Sequence, residues 1–150
     1  MASISVIQSH TENAEIYYEE DVCNQKFLEL LEEISFPKGI LPVEIIEFGR
    51  NRTTGFVWMK LKNKKQHKFK QINKVVSYDR EISFFVENGS ISKLTGVKSK
   101  ELFIWVRVSS MFIEDPSSGN ISFAVPGGLK AQLPISAFEL EEDEKKNSKD

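Results

Sequence analysis

Cysteine and histidine are scarce in this sequence. Among 150 residues there is one cysteine, Cys23, and there are two histidines, His10 and His67. A single cysteine cannot form an internal disulfide, and these three scattered side chains do not make up the ligand set of a zinc site. The sequence therefore predicts no metal site and no cofactor.

Long apolar runs are also missing. The opening residues, MASISVIQSH, have no basic segment ahead of an apolar one. No stretch approaches the roughly 20 apolar residues that a membrane-spanning helix needs. We expect no secretory signal and no transmembrane segment, and hence a reducing, cytoplasmic location.

Catalytic motifs are weak or absent. There is no Gly-x-Ser-x-Gly elbow for either histidine to serve. The segment 90–93, SISK, fits the Ser-x-x-Lys pattern, but two fixed positions in four occur often by chance. Asp79 and Glu81 share one strand parity, which is more typical of solvent-facing partners for Lys or Arg than of an acid–base pair. We predict no catalytic residue.

The net charge of −2 conceals a strong segregation of charge along the chain. Residues 1–33 carry −7, residues 34–138 carry +8 and residues 139–150 carry −3. A basic body thus lies between two acidic ends. The length fits one domain, and we divide the chain into a flexible N-terminus (1–13), a single helix-plus-β domain (14–138) and an acidic charged tail (139–150).

The most regular stretch in the sequence is KSKELFIWVRVSSMFI, at residues 98–113. From Leu102 onward, aliphatic residues fall on one parity, whereas Phe103, Trp105 and Arg107 fall on the other. Alternate side chains of a strand point to opposite faces, and β-branched and aromatic residues suit a half-buried sheet. The pattern predicts the central strand of an antiparallel sheet, with Phe103 and Trp105 in the core.

An amphipathic helix is predicted at residues 14–35, where apolar residues recur at helical spacing and glutamates take the other faces. Asn13 is the expected N-cap. The segment 36–42, FPKGILP, ends the helix, because proline disfavours helical geometry in the residue before it and Gly39 permits a positive φ. We expect this segment to pack its apolar residues against the sheet.

About six to eight short strands follow at turn spacings typical of a sandwich or barrel. The turn dipeptide Asn88-Gly89 separates two of them. The predicted fold class is mainly β, an antiparallel curved sandwich or barrel with one N-terminal amphipathic helix. The predicted strands lie at residues 43–48, 56–61, 68–72, 75–78 and 81–86 (either two short strands or one long one), 90–97, 121–125 and 129–133.

A lysine run lies between residues 60 and 70. Lysine on an edge strand blocks pairing with other sheets, which is one interpretation. The alternatives are binding to an anionic membrane surface or to another acidic partner. Few aromatic residues interleave with the lysines, which argues against nucleic acid as a partner. The run consists of Lys60, Lys62, Lys64, Lys65, Lys68 and Lys70.

Four motifs resemble a plant family known as domain of unknown function 538 (DUF 538). They are a hinge after the helix, FPKGILP at 36–42, a Tyr-Asp pair at 78–79, the run GVKSKELFIW at 96–105, and the closing LPISAF at 133–138. The motifs stand in the family's order. The sequence departs from the family's pattern at two places. Gln66-His67 stands where members often have a cysteine, and Ser83-Phe84 stands where they often have a Thr-Gly pair.

This resemblance implies a mainly antiparallel β domain, and the family has been likened to the lipid-binding fold of bactericidal/permeability-increasing proteins. Fold alone does not define function. We predict a non-catalytic module that binds a lipid or another amphipathic small molecule in an apolar cavity between helix and sheet. Trp58, Phe84 and Trp105 would line this cavity, with the lysine run at its mouth. A lipid or ester hydrolase and a protein-interaction domain remain alternatives.

Overall fold

The computed structural model describes residue 7 and residues 9–140. An α-helix, α1, spans Glu20–Glu33, and short 3-10 helices span Pro116–Ser118 and Ile135–Phe138. The strands are β1 (Glu15–Tyr17), β2 (Ile45–Arg50), β3 (Phe56–Leu61), β4 (Lys65–Phe69), β5 (Lys74–Glu87), β6 (Ser90–Glu101), β7 (Ile104–Arg107), β8 (Ser110–Phe112), β9 (Asn120–Ala124) and β10 (Lys130–Pro134).

The ten strands form one antiparallel sheet, ordered β1-β2-β3-β5-β6-β8-β9-β10, with β4 beside β5 and β7 beside β6. The mainly β, antiparallel prediction is confirmed. The barrel prediction is wrong, because β1 and β10 end the strand order without pairing with each other in the described part of the chain. All ten strands also share a single hydrogen-bonded sheet, so the alternative of a sandwich of separate sheets is not observed.

A long hairpin of β5 and β6 runs through the middle of this sheet. Each of its strands is paired by two shorter strands in succession: β5 by β4 and then β3, and β6 by β8 and then β7. The register shifts between Tyr78 and Ser83, and again before Phe85. Such irregularities bend a strand pair. We call the half with β4 and β7 the distal half of the hairpin.

The predicted central strand at residues 98–113 is not continuous. It is divided among the end of β6, β7 and β8, and Glu101 pairs with Ile104 across a two-residue loop. Alternation is the same in one long strand and in two strands of a hairpin, so the pattern could not reveal the reversal. Phe103 at the loop is 97% exposed and Trp105 is 40% exposed, so their predicted place in the core is wrong.

The helix is shorter than predicted and begins later. Glu15–Tyr17, expected to be its first turn, pairs with residues 48–50 as β1. Asn13 has a φ of 65° and lies in a turn, so the predicted N-cap is wrong; Glu19 holds that position and makes no side-chain capping hydrogen bond. Tertiary pairing thus overrides helical periodicity at this end. The buried side chains of α1 are those of Cys23, Phe27, Leu30 and Leu31.

The segment 36–42 packs as predicted. Ile40 is 2% exposed and Leu41 is 3% exposed, and both join the core cluster that contains the buried face of α1. The Gly39 amide donates to the Phe138 carbonyl at 2.8 Å. A Cβ on Gly39 would lie 2.6 Å from that oxygen, so the close approach requires glycine.

Two local predictions are confirmed closely. Residues 56–61 form β3 with the expected bounds. Asn88 and Gly89 have φ values of 52° and 71° and make the tight turn between β5 and β6. The predicted domain bounds remain predictions: residues 1–6, 8 and 141–150 lie outside the described residues, whereas Ile7 is buried against Phe56 and Trp58.

Candidate functional site

A cavity of about 310 Å³ lies between the distal half of the β5–β6 hairpin and the β9–β10 hairpin. Ile40 from the hinge segment and Phe138 from the last 3-10 helix contribute to its wall. Since β8 separates the two hairpins in the strand order, the sheet must curve round the cavity for both to line it. Leu129, which also lines the cavity, is 77% exposed.

The cavity wall is apolar because alternate residues of neighbouring strands point the same way. Tyr78 of β5 pairs with Val97 of β6. One step along the hairpin, Val76 pairs with Ser99, which in turn pairs with Val106 of β7. All five side chains face the cavity. Strand register therefore places a continuous, mostly aliphatic surface on one face of the distal half.

Tyr78 supplies the one phenol in this wall. It is 1% exposed, and its hydroxyl donates to the Ile40 carbonyl at 3.4 Å. Burial raises the pKa of Tyr78 well above that of an ordinary tyrosine, because the phenolate would lose its hydration. Tyr78 is therefore a neutral hydrogen-bonding group at every physiological pH.

Charged groups at the cavity are paired. Lys74 Nζ lies 2.5 and 2.6 Å from the two carboxylate oxygens of Glu101. Lys130, which also lines the cavity, bonds Glu114 at 2.5 Å. These pairs are partly exposed, with Lys130 at 50% and Glu101 at 40% side-chain exposure. The arrangement offers apolar walls inside and polar, ionic groups at the border, which suits an amphipathic ligand.

The three residues predicted to line a cavity are not brought together. Trp58 pairs with Ser83, while Phe84 pairs with the neighbouring Val57, so Trp58 and Phe84 lie on opposite faces of the sheet. Trp105 lies on β7, on the face opposite to Val106. None of the three lines the observed cavity, and α1 does not border it. The observed cavity lies between two hairpins, whereas the sequence prediction places a cavity between helix and sheet.

Trp58 is held by a hydrogen bond and by ring packing instead of lining a cavity. Its indole Nε1 donates to Glu47 Oε2 at 2.8 Å, and its ring stacks with Phe56 at a centroid distance of 5.9 Å. The ring lies over Gly49, where a Cβ would come 2.1 Å from it. Phe84, 0% exposed, belongs to the main core.

The lysine run does not form one patch. Lys60 pairs with Glu47 at 3.6 Å, and Lys64 pairs with Asp79 at 3.9 Å. Lys65 is half-buried on the cavity face opposite Tyr78, whereas Lys68 points to the other face. The remaining members, Lys62 and Lys70, are exposed in the turns that flank β4. β4 pairs with β5 alone, which agrees with the edge-strand interpretation.

A basic surface that the sequence reasoning missed lies on the distal half. Lys98, Lys100 and Arg107 are exposed on the face that points away from the cavity. Trp105 lies among them, because it pairs with Lys100. The spacing of Lys98 and Lys100 carried a signal, since it places both on one strand face. The alternation from Leu102 onward hides this signal, because it predicts a buried strand in the same segment.

The residues considered for catalysis are scattered. His10 Nδ1 lies 3.0 Å from Thr54 Oγ1 and its ring stacks on Phe56, and His67 packs against Phe69. Lys93 Nζ lies over the Phe85 ring, 5.2 Å from its centroid. Within residues 7 and 9–140, no group of three or more His, Cys, Asp and Glu side chains is arranged to hold a metal ion.

The four sequence motifs converge on the cavity. Ile40 comes from the hinge, Tyr78 from the Tyr-Asp pair, Val97 from the GVKSKELFIW run, and Leu133 and Phe138 from the closing motif. Two hydrogen bonds join them directly, from the Gly39 amide to the Phe138 carbonyl and from the Tyr78 hydroxyl to the Ile40 carbonyl. The motifs thus describe the wall of one site rather than unrelated structural positions.

Fold and site together define a mainly β domain with an apolar cavity at its curved sheet. Residues 27–139 match the model of a family described as "Protein of unknown function, DUF538". Because the match covers well over half of the chain, the protein belongs to this family, as the motifs predict. No curated protein and no solved structure matches the chain. No helix among the described residues is long and apolar enough to cross a membrane.

Proposed function

We propose that the protein is a non-catalytic binding module for an amphipathic small molecule, such as a fatty acid or lipid acyl chain. The observation that carries this proposal is the apolar cavity of about 310 Å³, bordered by the ion pairs of Lys74 and Lys130. Ligand sites are typically concave and apolar, with a few polar groups that orient the ligand. The likeness to bactericidal/permeability-increasing proteins stays a prediction.

The size of the cavity limits the ligand. A protein cavity of about 150 Å³ holds one benzene molecule, so 310 Å³ admits roughly twice that, about a dozen carbon atoms. An alkyl chain of about ten carbons therefore fits, with its head group at the border. Transfer of roughly 0.8 kcal/mol per methylene gives about 8 kcal/mol for ten carbons, and an association cost of about 4 kcal/mol leaves a Kd on the order of 1 mM.

Lys130 is the candidate partner of a ligand carboxylate or phosphate. Its ammonium is half exposed and bonds Glu114, so an anionic head group would exchange one carboxylate partner for another. Lys74 is held by both oxygens of Glu101 and is therefore the less available partner for a ligand. Head-group contacts at a partly exposed site add modest affinity, so the apolar wall dominates binding.

The test is calorimetric titration of the protein with decanoate. Val76→Phe adds volume to the cavity wall and should weaken binding at least about tenfold, because the chain would clash with the new ring. The matched control is Val75→Phe, which makes the same change on the opposite face of β5. It should alter the Kd less than about twofold.

Failure of the wild type to bind decanoate, or equal binding by both variants, would contradict the proposal. Cleavage of decanoate esters above background, lost in Val76→Phe, would replace the binding module with the hydrolase alternative. The cytoplasmic location and the protein-interaction alternative stay predictions.

A further inference from the structure

The hairpin between β6 and β7 ends in exposed apolar side chains. Leu102 and Phe103 form its loop, and Ile104 follows directly. Their exposures are 88%, 97% and 63%, respectively. Single exposed apolar residues are common on protein surfaces, but a contiguous patch marks a site of interaction with another molecule.

Leucine and phenylalanine are unusual residue types for the backbone conformation of this loop. Leu102 has a φ of 53°, in the left-handed region that residues with a Cβ disfavour. Two-residue hairpin loops favour asparagine and glycine, and the β5–β6 hairpin uses Asn88-Gly89 in that way. Leucine and phenylalanine thus stand where local geometry favours small polar residues. This conflict indicates that their side chains serve a contact outside the chain.

Behind the apolar loop, the outward face of the hairpin is basic. Lys100 pairs with Trp105, and Lys98 pairs with Arg107, all four being exposed. Lys68 lies on the same face, two strands away. None of these four cations forms an ion pair within the described part of the chain. The acidic residue of the hairpin, Glu101, points to the cavity and is neutralised by Lys74.

We propose that the β6–β7 hairpin docks the protein on an anionic lipid bilayer. Its loop enters the acyl region while its basic face meets the head groups. The charge complementarity favours this partner over a second copy of the chain, which would bring like charges together. The joint presence of an apolar tip, a tryptophan and basic residues, in that order along the hairpin, matches the layers of a membrane interface.

Strand geometry sets the depth of each layer. A strand rises about 3.4 Å per residue, so Trp105 lies roughly 7 Å and Arg107 roughly 13 Å behind Phe103. Interfacial segments bury their apolar face about 5–10 Å deep. Leu102 and Phe103 therefore reach the acyl boundary, Trp105 lies at the head-group level, and Lys98 and Arg107 lie over the phosphate layer.

Docking would also bring the cavity to the membrane. The inward face of the same hairpin lines the cavity through Ser99, Glu101 and Val106. The exposed Leu129, also at the cavity, lies on the neighbouring β9–β10 turn. This consequence rests on the proposed function: a docked hairpin would let an acyl chain pass between bilayer and cavity. The docking itself depends only on the exposed loop and its basic face.

The experiment is cosedimentation with vesicles of phosphatidylcholine and phosphatidylserine. The double variant Leu102→Ser/Phe103→Ser should lose at least about tenfold in vesicle affinity. The triple variant Lys98→Gln/Lys100→Gln/Arg107→Gln should lose on the order of 100-fold, at about fivefold per cation near an anionic surface. Pure phosphatidylcholine vesicles should bind the wild type far more weakly.

The controls match each change elsewhere on the surface. Tyr18→Ser removes another aromatic side chain, 67% exposed, far along the chain from the hairpin. The triple variant Lys62→Gln/Lys64→Gln/Lys93→Gln removes the same charge from exposed sites away from the β6–β7 loop. Both controls should bind vesicles within about threefold of wild type. An equal loss in the second control would show that total charge, and not the hairpin, binds the membrane.

A second measurement follows the tryptophan directly. In Trp58→Phe, Trp105 is the sole tryptophan, and its emission should shift to the blue and resist acrylamide when anionic vesicles are added. Wild type that fails to bind vesicles, or an unchanged Trp105 spectrum on binding, would overturn the proposal. A dimer that dissociates in Leu102→Ser/Phe103→Ser would assign the hairpin to self-association instead. Decanoate binding is also measured for the hairpin variants. A variant that still binds decanoate but not vesicles distinguishes loss of membrane docking from loss of the cavity.

Discussion

The two tryptophans give the sharpest test of the architecture, because the structure places them in opposite environments. Trp58 is 1% exposed and Trp105 is 40% exposed. Both lie on strands, and alternation alone places both in the core. Replacing each in turn with alanine therefore compares a buried site with a surface site using the same chemical change.

The cost at Trp58 follows from its packing. Trp58→Ala leaves a cavity between Phe56 and Gly49 and removes the donor to Glu47. Large-to-small changes of this kind cost about 3–5 kcal/mol. Glu47 keeps Lys60 as a partner at 3.6 Å and is partly exposed, so the lost hydrogen bond adds little.

Trp105→Ala should lower the free energy of unfolding by less than Trp58→Ala does. Water can occupy the vacated space, and the neighbouring Lys100 side chain can relax over it, so no cavity forms. Only the transfer term for the covered part of the indole remains, about 1–2 kcal/mol. The difference between the two alanine variants is therefore about 2–3 kcal/mol.

Urea unfolding followed by circular dichroism measures both costs. With a slope of about 2 kcal/mol per molar urea, Trp58→Ala should lower the midpoint by roughly 2 M and Trp105→Ala by less than about 1 M. Acrylamide should quench Trp105 in Trp58→Phe more than it quenches Trp58 in Trp105→Phe. Equal costs, or a larger cost for Trp105→Ala, would refute the hairpin at residues 98–107.

Three further predictions concern the core and its charges. Gly39→Ala should cost about 1–3 kcal/mol in urea unfolding, because the new Cβ meets a backbone oxygen at 2.6 Å. Glu33→Gln should cost under about 1 kcal/mol at neutral pH: two hydrogen bonds from Arg50 hold the pKa of Glu33 below its usual value. That contribution is complete above the unfolded pKa and is lost as pH falls through the folded one. Burial raises the pKa of Tyr78, so its phenol should stay neutral in alkaline titration until the chain unfolds, and stability should fall as pH rises above about 10.

Each of these predictions has a control. Lys38→Ala changes an exposed neighbour of Gly39 and should be neutral; a similar loss there would remove the steric argument. The effect of Glu33→Gln should diminish as pH falls through the lowered folded pKa of Glu33, and an effect that persists once the carboxyl is protonated would assign it to packing. In Tyr78→Phe the late alkaline titration step should disappear, and its retention would assign the step to another tyrosine.

Much of the fold could be predicted from local sequence patterns. The side chains of residues 56–61 alternate in character and form β3. Asn88-Gly89 makes the tight turn between β5 and β6, and the hinge at 36–42 buries Ile40 and Leu41 as expected. Each of these features depends on a few neighbouring residues, through proline and glycine geometry or strand alternation. Local patterns are sufficient to predict a structural feature when the residues that form it lie close together in the chain.

Only part of the candidate site could be predicted from the sequence. The sequence predicts an apolar cavity lined by Trp58, Phe84 and Trp105, because these residues are large and aromatic. The observed wall uses Tyr78 and Val97 instead, brought together by the register of β5 and β6. Size and hydrophobicity identify residues that must be buried somewhere, but they do not identify which of them face the same space.

The sequence by itself determined the mainly β character, the tight turns, the hinge and the family, because these depend on local geometry and on motifs read in order. Only the tertiary structure decided that residues 98–107 form a hairpin, that Glu15–Tyr17 pairs as a strand and that four distant motifs surround one cavity. Alternation is identical in one strand and in two, and pairing depends on partners far along the chain. Which face meets the cavity, and which meets solvent, is therefore set by register across the sheet.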